Sequence, residues 1–397
     1  MFRVNSKEAL VLWIMSAIML TTVFMPFGLP ANSGPTIIGS LWLLMSIAFF
    51  LRTPLGPMVL GYQCFLFIVL TSVLLGMVKV LFSVDVDLNL YLYNLVFRGV
   101  PKILFLILIY FLVSQLDYNS VIRVSYRYSL MLIFTIGLAL VLYEIFPIYR
   151  FVWYNDRFAA LHFELVNFSF TSFTAGIILI YSHFRSNLTI LVSVILLSMG
   201  IWVASKSNYV PIFIASMLFS TFLLRVPGQL RSTIYLGYFA VLIIILLILP
   251  SLLELIEKVL FLFPRSSATL SDDNPIYIRL FRHIFAIQYF FDNIFSLPDG
   301  FFNGGVFADL NSIDSWSGGS GLSKLFMDFG ILVIPFLILL VRTFLKILKT
   351  LDPKNRKDQM YFILVNLCFA YGYLQAGFFN FTSVTLFLLS LRYWKII

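Results

Sequence analysis

The run Val-Leu-Ile-Ile-Ile-Leu-Leu-Ile-Leu at Val241–Leu249 contains no polar residue and is followed by Pro250. With its flanking residues it is long enough for an α-helix that crosses the hydrocarbon core of a bilayer, which takes about 20 apolar residues. Comparable runs recur along the chain, in which 61% of the 397 residues are hydrophobic and only 11% are charged. Because a soluble domain has about 25% charged residues, this composition excludes an ordinary soluble fold.

The continuous apolar runs predict an all-α fold. In a bilayer, backbone groups must be paired within helices or within closed barrels, and barrel strands show alternating rather than continuous apolar sequence. We therefore expect a polytopic transmembrane helical bundle that forms a single integral membrane domain over residues 1–397. Twelve spans are predicted near residues 8–27, 35–51, 57–82, 98–115, 128–148, 166–183, 187–204, 208–225, 233–252, 323–343, 360–377 and 379–394.

Lysine and arginine residues in the short loops predict the orientation. If the N-terminus lies inside, 16 of the 27 basic residues and four of the 18 acidic residues fall on the inner side. This excess is what the positive-inside rule requires of cytoplasmic loops. The sequence thus predicts a multi-pass protein with both termini in the cytoplasm. The net charge of +9 is explained by topology, so no nucleic-acid partner is expected.

One predicted outer loop, residues 253–322, is much longer than the others. Structureless loops of more than about 15 residues are usually functional. Within this loop, residues 276–295 have the spacing of an amphipathic helix, with apolar side chains on one side at Ile278, Phe281, Phe285, Tyr289 and Phe290. We expect this helix to pack on the outer face of the membrane.

Eleven basic residues fall on the predicted outer side, against the topology rule: Lys79, Arg98, Lys102, Arg150, Arg157, Lys206, Lys258, Arg265, Arg279, Arg282 and Lys324. Arg98 and Lys102 are four residues apart, which predicts one helix face. A charge in apolar sequence costs about 2.5–3.5 kcal/mol and needs compensation. The compensating group is either a carboxylate, with Asp85, Asp87 and Glu144 as candidates, or an anionic ligand. Snorkelling to the interface is the structural alternative.

The acidic and histidine residues give no strong metal signal. Asp85 and Asp87 form an Asp-x-Asp element that could hold a divalent cation against a phosphate, although a solvated turn is the more common reading of such a pair. His162 and His283 lack the spacing of a zinc site, and each is interpreted either as a general base or as a polar surface residue. No metal is expected.

Two short stretches carry a resemblance to a known family. Residues Arg157–Glu164, Arg-Phe-Ala-Ala-Leu-His-Phe-Glu, are similar to the Arg-Phe-x-Gly-x-x-x-Glu-Pro-Ser pattern of bacterial O-antigen polymerases of the Wzy type. Ser205–Ser207 lies where that family often has Ser-Arg. Here Ala159 or Ala160 replaces the glycine, Leu165 replaces the proline, and Lys206 replaces the arginine, which removes the bidentate guanidinium fork.

A third stretch lies in the long loop. Arg279, Arg282 and His283 lead into Asp292–Gly300, which resembles the family's arginine-rich stretch ending near Pro-x-Gly. The loop closes with Gly321–Gly330, which is similar to the start of the family's next span.

The resemblance implies a GT-C-like membrane glycosyltransferase in the bacterial inner membrane. Such a polymerase moves a growing glycan from undecaprenyl diphosphate onto a new lipid-linked repeat unit on the outer face, without a cofactor. Its implied partners are these lipid-linked oligosaccharides and membrane lipids, with a chain-length regulator and a flippase as further candidates. For this implied reaction we expect the catalytic residues to be Arg279, Arg282, His283 and Glu164. From the outward cations we expect the diphosphate to be bound by Arg157, Arg98, Lys102, Lys206 and Arg265.

Two other functions stay open at this point. An O-antigen ligase would share the fold and the lipid diphosphate, and the adjacent Arg282 and His283 are compatible with it. A lipid-linked oligosaccharide flippase or another transporter is the alternative without chemistry. No repeated halves and no matching pair of broken helices, which many transporters have, are apparent in the sequence.

Overall fold

In the computed structural model of the protein, the described residues are 5–23, 33–53, 55–82, 88–145, 153–154, 157–158, 160–162, 165–181, 187–204, 209–241, 244, 289–301, 321–374 and 379–397. They are mainly helical, so the predicted all-α class is confirmed at that level. The helices are α1 (Ser6–Ser16), α2 (Ser33–Phe50), α3 (Leu60–Phe82), α4 (Leu88–Asn94), α5 (Val100–Ser114), α6 (Tyr118–Ile145), α7 (Leu165–Tyr181), α8 (Asn187–Ala204), α9 (Tyr209–Arg225), α10 (residues 228–241), α11 (Gly321–Phe329), α12 (Val333–Thr350), α13 (Arg356–Leu374) and α14 (Phe381–Tyr393).

Three short elements connect these helices. A π-helical turn, Leu95–Gly99, joins α4 to α5, and a 3-10 turn, Gly330–Leu332, joins α11 to α12. The strands β1 (Trp153–Tyr154) and β2 (Arg157–Phe158) form an antiparallel ribbon, which the sequence did not predict.

Apolar helices are the main feature of the described residues. Four helical stretches among them are long and apolar enough to cross a membrane: Leu60–Phe82, Leu88–Ser114, Tyr118–Ile145 and Leu325–Thr350. Five shorter apolar helices accompany them. Large apolar side chains point away from the bundle, such as Phe67 and Phe134, each 70% exposed. Because soluble proteins rarely expose extended apolar patches, these helices indicate a membrane protein.

The first predicted span differs most from the structure. A helix was expected over residues 8–27, but α1 ends at Ser16 and residues 17–23 form turns. The Thr21 and Thr22 hydroxyls donate to the carbonyl oxygen of Leu161 over 2.9 and 2.8 Å. Threonine hydroxyls compete with helical hydrogen bonding in this way, and hydropathy does not report it.

Helix α6 begins ten residues before the predicted start at residue 128. The Oδ1 atom of Asp117 accepts a hydrogen bond from the backbone N–H of Ser120 over 2.6 Å, which caps the helix. This hydrogen bond lowers the pKa of Asp117 below its ordinary value. The first turns carry Arg123 and Arg127, and their polarity explains why hydropathy places the start too late.

A buried ion cluster joins α1 to α6. The Glu8 carboxylate is buried, and its Oε1 atom lies 2.7 Å from Nη2 of Arg123. Its Oε2 atom accepts a hydrogen bond from Arg127. The charge pattern assigned these three residues to the same side of the membrane, and the structure brings them together.

Other segments assigned to the inner side also meet. The Arg392 guanidinium donates to the Leu116 carbonyl over 2.8 Å, and the Tyr393 hydroxyl donates to Asp358 over 2.7 Å. The Lys357 ammonium lies 5.4 Å from the centre of the Tyr118 ring. We call this part of the molecule, residues 116–118, 352–358 and 392–397, the basic end. That it faces the cytoplasm stays a prediction.

Small residues bring α7 and α8 close together. A Cβ atom at Gly200 would lie 3.1 Å from the Phe173 ring, and one at Gly176 would lie 2.9 Å from Leu197. Close approach at small residues is the usual way in which helices pack in membranes. Helix α13 covers α7, where the Tyr371 hydroxyl donates to Asn167 over 2.5 Å.

Candidate functional site

A buried ion pair lies at the far end of α3 from the basic end. The Nζ atom of Lys79 is 2.7 Å from Oδ1 of Asp299, whose side chain is 1% exposed. The Tyr289 hydroxyl also donates to this oxygen over 2.8 Å and accepts from Lys79 over 3.2 Å. Burial raises the pKa of Tyr289, and the neighbouring carboxylate raises it further, so the tyrosine stays a neutral donor. We call Lys79, Tyr289 and Asp299 the Asp299 anchor.

The backbone at Asp299 lies against α3 because Gly76 has no side chain. A Cβ atom at Gly76 would lie 2.7 Å from the Asp299 carbonyl oxygen and 2.7 Å from the Gly300 Cα. It would also lie 2.8 Å from the Tyr91 hydroxyl. Gly300 has a φ of +94°, which L side chains rarely adopt. The Pro-x-Gly element at Pro298–Gly300 is thus an irregular segment that packs closely on α3.

Helix α11 bonds the same segment from the other side. The backbone N–H groups of Asp299 and Gly300 donate to the carbonyls of Met327 and Asp328 over 3.3 and 3.2 Å. The Ser72 hydroxyl on α3 donates to the Asp328 carbonyl over 2.6 Å. Two segments in the C-terminal part of the long loop and just after it, residues 289–301 and α11, are therefore bonded to each other and to α3.

The end of the predicted amphipathic helix packs on protein. Residues 289–292 are helical, and Phe290 is buried with its ring 4.9 Å from that of Phe326. Tyr289 belongs to the Asp299 anchor. The expectation that these two side chains lie on the outer membrane face is therefore wrong, because α3 and α11 cover them. The rest of the predicted helix, residues 276–288, lies outside the described residues.

The π-helical turn presents Arg98. Pro101 has no N–H, and its ring displaces the carbonyl four residues earlier, which accounts for a widened turn at Leu95–Gly99. The Arg98 side chain is exposed, and its guanidinium carbon lies 5.9 Å from the Tyr93 ring centre. A Cβ atom at Gly99 would lie 3.4 Å from the Phe301 carbonyl oxygen. Arg98 is therefore next to the segment that carries Asp299.

Lys102 has different surroundings from Arg98, although one shared helix face was expected. Its ammonium donates to the Phe379 carbonyl over 2.9 Å and lies 3.6 Å from the centre of the Phe381 ring. The Phe379 carbonyl oxygen and the π face of the Phe381 ring stabilise the positive charge of Lys102. Phe301 packs on Phe379 with ring centres 4.8 Å apart. The segment 299–301 thus runs from α3 past Arg98 to the residue that binds Lys102.

Asp299, the carboxylate that pairs with Lys79, was not among those proposed to compensate the outward cations. Glu144 is exposed, and the ion pairs of the described residues do not include it. Asp85 and Asp87 lie outside the described residues. Lys79 pairs with Asp299, which is 220 positions away in the sequence. No local sequence pattern predicts a contact between residues so far apart. The prediction that both residues lie on the outer side is the one sequence feature consistent with it.

The first family-like stretch forms the ribbon and the approach to α7. Arg157 is in β2, where it pairs with Tyr154. Ala160 has a φ of +49°, a conformation that favours glycine, at one of the two positions where the family pattern has a glycine.

His162 lies within this stretch, and the interpretation of it as a polar surface residue is wrong. It is 1% exposed, and its Nε2 atom lies 3.1 Å from the Thr171 hydroxyl oxygen.

The remaining predicted site residues lie outside the described residues. They are Glu164, Lys206, Arg265, Arg279, Arg282 and His283. Among the residues that are described, no group of three or more His, Cys, Asp or Glu side chains could hold a metal ion.

The arrangement gives one end of the molecule a fixed frame with an exposed guanidinium. The Asp299 carboxylate is paired with Lys79, and Arg98 is exposed next to Gly99, which approaches the Phe301 carbonyl. An exposed arginine can bind a phosphate through its planar fork. Comparisons of the chain with known protein families, curated protein sequences and solved structures find no match.

Proposed function

We propose that the protein is a polysaccharide polymerase of the bacterial inner membrane. It transfers a glycan carried by undecaprenyl diphosphate onto the next lipid-linked repeat unit. The proposal includes twelve spans in a GT-C-like bundle, with both termini in the cytoplasm and the Asp299 anchor on the periplasmic side. The membrane-length helices and the grouping of basic segments at one end support this topology.

One structural relationship carries the proposal: the C-terminal part of the long loop is bonded to α3 and lies against Gly99, the neighbour of Arg98. Residues 289–301 and α11 are bonded to each other and to α3. Arg265, Arg279, Arg282 and His283 precede residue 289 in the same loop, so the chain that carries them leads into an anchored segment. A large loop of this kind on a rigid frame suits a reaction at the membrane surface.

The proposed chemistry is glycosyl transfer with a lipid diphosphate as leaving group. The bond between C1 of the donor sugar and the diphosphate oxygen breaks, and its electron pair leaves with the diphosphate. An acceptor hydroxyl oxygen forms the new bond to C1. Its proton passes to a base, for which Glu164 and His283 are the candidates.

Cations have a defined task in this reaction. Negative charge develops on the departing diphosphate, and fixed cations stabilise it. Arg279 and Arg282 are proposed to contact the diphosphate during transfer. Before transfer, the diphosphate is proposed to be bound by Arg157, Arg98, Lys102, Lys206 and Arg265. Of these, Arg98 is both described and exposed, whereas Lys102 also supports the Phe379 carbonyl.

The test is the length distribution of the surface polysaccharide. Cells that depend on this protein are complemented with the wild type, Arg279→Ala or Arg282→Ala, and the polysaccharide is separated on a gel. At equal protein level, each variant is expected to shorten the ladder to single repeat units. Normal ladders from both variants would overturn the roles of these residues.

Arg98 offers a sharper test because its surroundings are known. Arg98→Ala is expected to lower polymer formation by about 10- to 100-fold, and Arg98→Lys by less, since lysine keeps the charge but not the fork. Arg52→Ala is the matched control, because Arg52 is also exposed but lies in a predicted inner loop. Equal effects of Arg98→Ala and Arg52→Ala would contradict a role in binding diphosphate.

The alternatives predict other products when the gene is deleted. Loss of a ligase leaves long chains on the lipid carrier, whereas loss of a polymerase leaves single repeat units that are still joined to their final acceptor. Loss of a flippase leaves lipid-linked repeat units on the cytoplasmic side.

A further inference from the structure

A cavity of about 440 Å³ lies between α3, α12 and α14, away from the Asp299 anchor. Its walls are mainly apolar and aromatic, with Tyr62 and Phe65 from α3, Phe336 from α12 and Phe379 before α14. Arg342 and Lys346 on α12 also line it. The proposed polymerase reaction assigns no task to this cavity.

The residues of α12 that line the cavity span a length comparable with one leaflet of a bilayer. It extends along α12 from Phe336 to Lys346. Ten residues of α-helix span about 15 Å, which is half of the roughly 30 Å hydrocarbon core. Phe336 and Phe379 are each 7% exposed at the deep end, whereas Leu60 at the shallow end is 72% exposed.

The walls are held in place before any ligand binds. Tyr62 and Tyr110 stack with ring centres 4.3 Å apart. The Tyr62 hydroxyl donates to the Leu106 carbonyl over 2.8 Å, and the Tyr110 hydroxyl accepts from the Val59 N–H over 2.9 Å. These contacts fix the start of α3 against α5. A preformed cavity lowers the ordering cost of binding.

Positive charge lies at the shallow end. Arg342 and Lys346 are four residues apart, hence on one face of α12, and both are exposed. The ion pairs recorded among the described residues involve neither of them. Basic pockets between membrane helices bind the head groups of anionic lipids.

We propose that this cavity binds an anionic phospholipid from the leaflet at the basic end. An acyl chain lies against Phe65, Phe336 and Phe379, and the phosphate contacts Arg342 and Lys346. Apolar walls of one-leaflet depth match the chain, and the two cations match the head group. The proposal holds whichever reaction the opposite end performs.

The experiment measures which lipid stays bound to the purified full-length protein. The protein is exposed to equal amounts of phosphatidylglycerol and phosphatidylcholine, and bound lipid is counted by native mass spectrometry. Phosphatidylglycerol is expected to be retained preferentially. Each cation near an anionic lipid contributes about fivefold in affinity, so Arg342→Ala/Lys346→Ala is expected to weaken binding by about 25-fold.

Two further variants separate the cavity from general surface charge. Lys349→Ala/Lys354→Ala removes the same charge from exposed residues that do not line the cavity, and it is expected to keep the preference. Gly61 lines the cavity, and a Cβ atom there would meet nothing within 4 Å. Gly61→Leu is therefore expected to fill the cavity and reduce retention of both lipids without a clash.

Two results would overturn the proposal. One is equal retention of phosphatidylglycerol and phosphatidylcholine by the wild type. The other is loss of the preference in Lys349→Ala/Lys354→Ala to the same extent as in Arg342→Ala/Lys346→Ala, which would show attraction to the surface alone.

Discussion

The ammonium of Lys79 on α3 lies 2.7 Å from the carboxylate of Asp299, although 220 positions separate the two residues in the sequence. Asp299 is buried, and the Tyr289 hydroxyl also donates a hydrogen bond to its carboxylate. This pair fixes the part of the long loop that carries Asp299 to α3.

The ion pair predicts a pattern in a double-mutant cycle. Removing one partner of a buried pair costs about 3–5 kcal/mol, because it leaves the other charge unpaired. Asp299→Asn and Lys79→Met are each expected to destabilise the protein by about 3 kcal/mol, near the lower limit of this range. The double variant is expected to recover most of this loss, as measured by thermal unfolding in detergent. Additive losses would show that the two charges are not coupled.

Gly76 predicts a steric effect at the same place. Gly76→Ala would push the Cβ atom into the backbone at Asp299 and Gly300, and overpacking typically costs about 1–3 kcal/mol. The matched control is Gly61→Ala on the same helix, where a Cβ atom meets nothing within 4 Å. The unfolding temperature is expected to fall for Gly76→Ala and to stay unchanged or rise for Gly61→Ala, because alanine is favoured over glycine in a helix by about 0.5–1 kcal/mol. Equal behaviour of the two variants would contradict the close approach.

Ala160 predicts a stabilising substitution. An L-residue in the left-handed conformation costs about 1–2 kcal/mol, whereas glycine adopts it freely. Ala160→Gly is therefore expected to stabilise the protein or leave it unchanged. Ala139→Gly is the opposite control, because Ala139 is also buried but lies within α6, where glycine costs about 0.5–1 kcal/mol. Destabilisation by Ala160→Gly as large as that by Ala139→Gly would refute the positive φ.

Asp117 predicts a dependence of stability on pH. Its pKa is lowered in the folded protein by the Ser120 N–H, so its contribution is complete above the ordinary pKa of the carboxyl. That contribution is lost as the pH falls through the lowered value. Asp117→Asn keeps a capping oxygen that does not titrate. The unfolding temperature of the wild type is thus expected to fall relative to Asp117→Asn in acid. A constant difference at all pH values would exclude this role.

Apolar length predicted several helices well because it depends only on local sequence. Helix α8 has the predicted limits, Asn187 and Ala204, and α3 begins three residues after the predicted start. The sequence failed where a single group changes the backbone. Pro101 widens the turn before α5, and the Thr21 and Thr22 hydroxyls bond a distant carbonyl. Neither effect is visible in hydropathy.

The sequence identified the cations of the site but not the residues that they contact. The unusual outward cations, including Lys79, Arg98 and Lys102, were identified from the topology rule. Their surroundings were not, since Lys79 meets Asp299 and Lys102 meets the Phe379 carbonyl only after the chain has folded. Asp299 was noted for its place in a Pro-x-Gly element and not for its charge. Segments far apart in sequence leave no periodic signal of their pairing.

The most direct measurement of the central claim is reconstitution of the reaction. The purified protein is placed in liposomes with a single undecaprenyl-diphosphate-linked repeat unit, and the products are analysed by mass spectrometry. The proposed function predicts lipid-linked glycans of two or more repeats, one undecaprenyl diphosphate released per bond formed, and little product from Arg98→Ala. Repeat units that remain single in the presence of folded wild-type protein would contradict it.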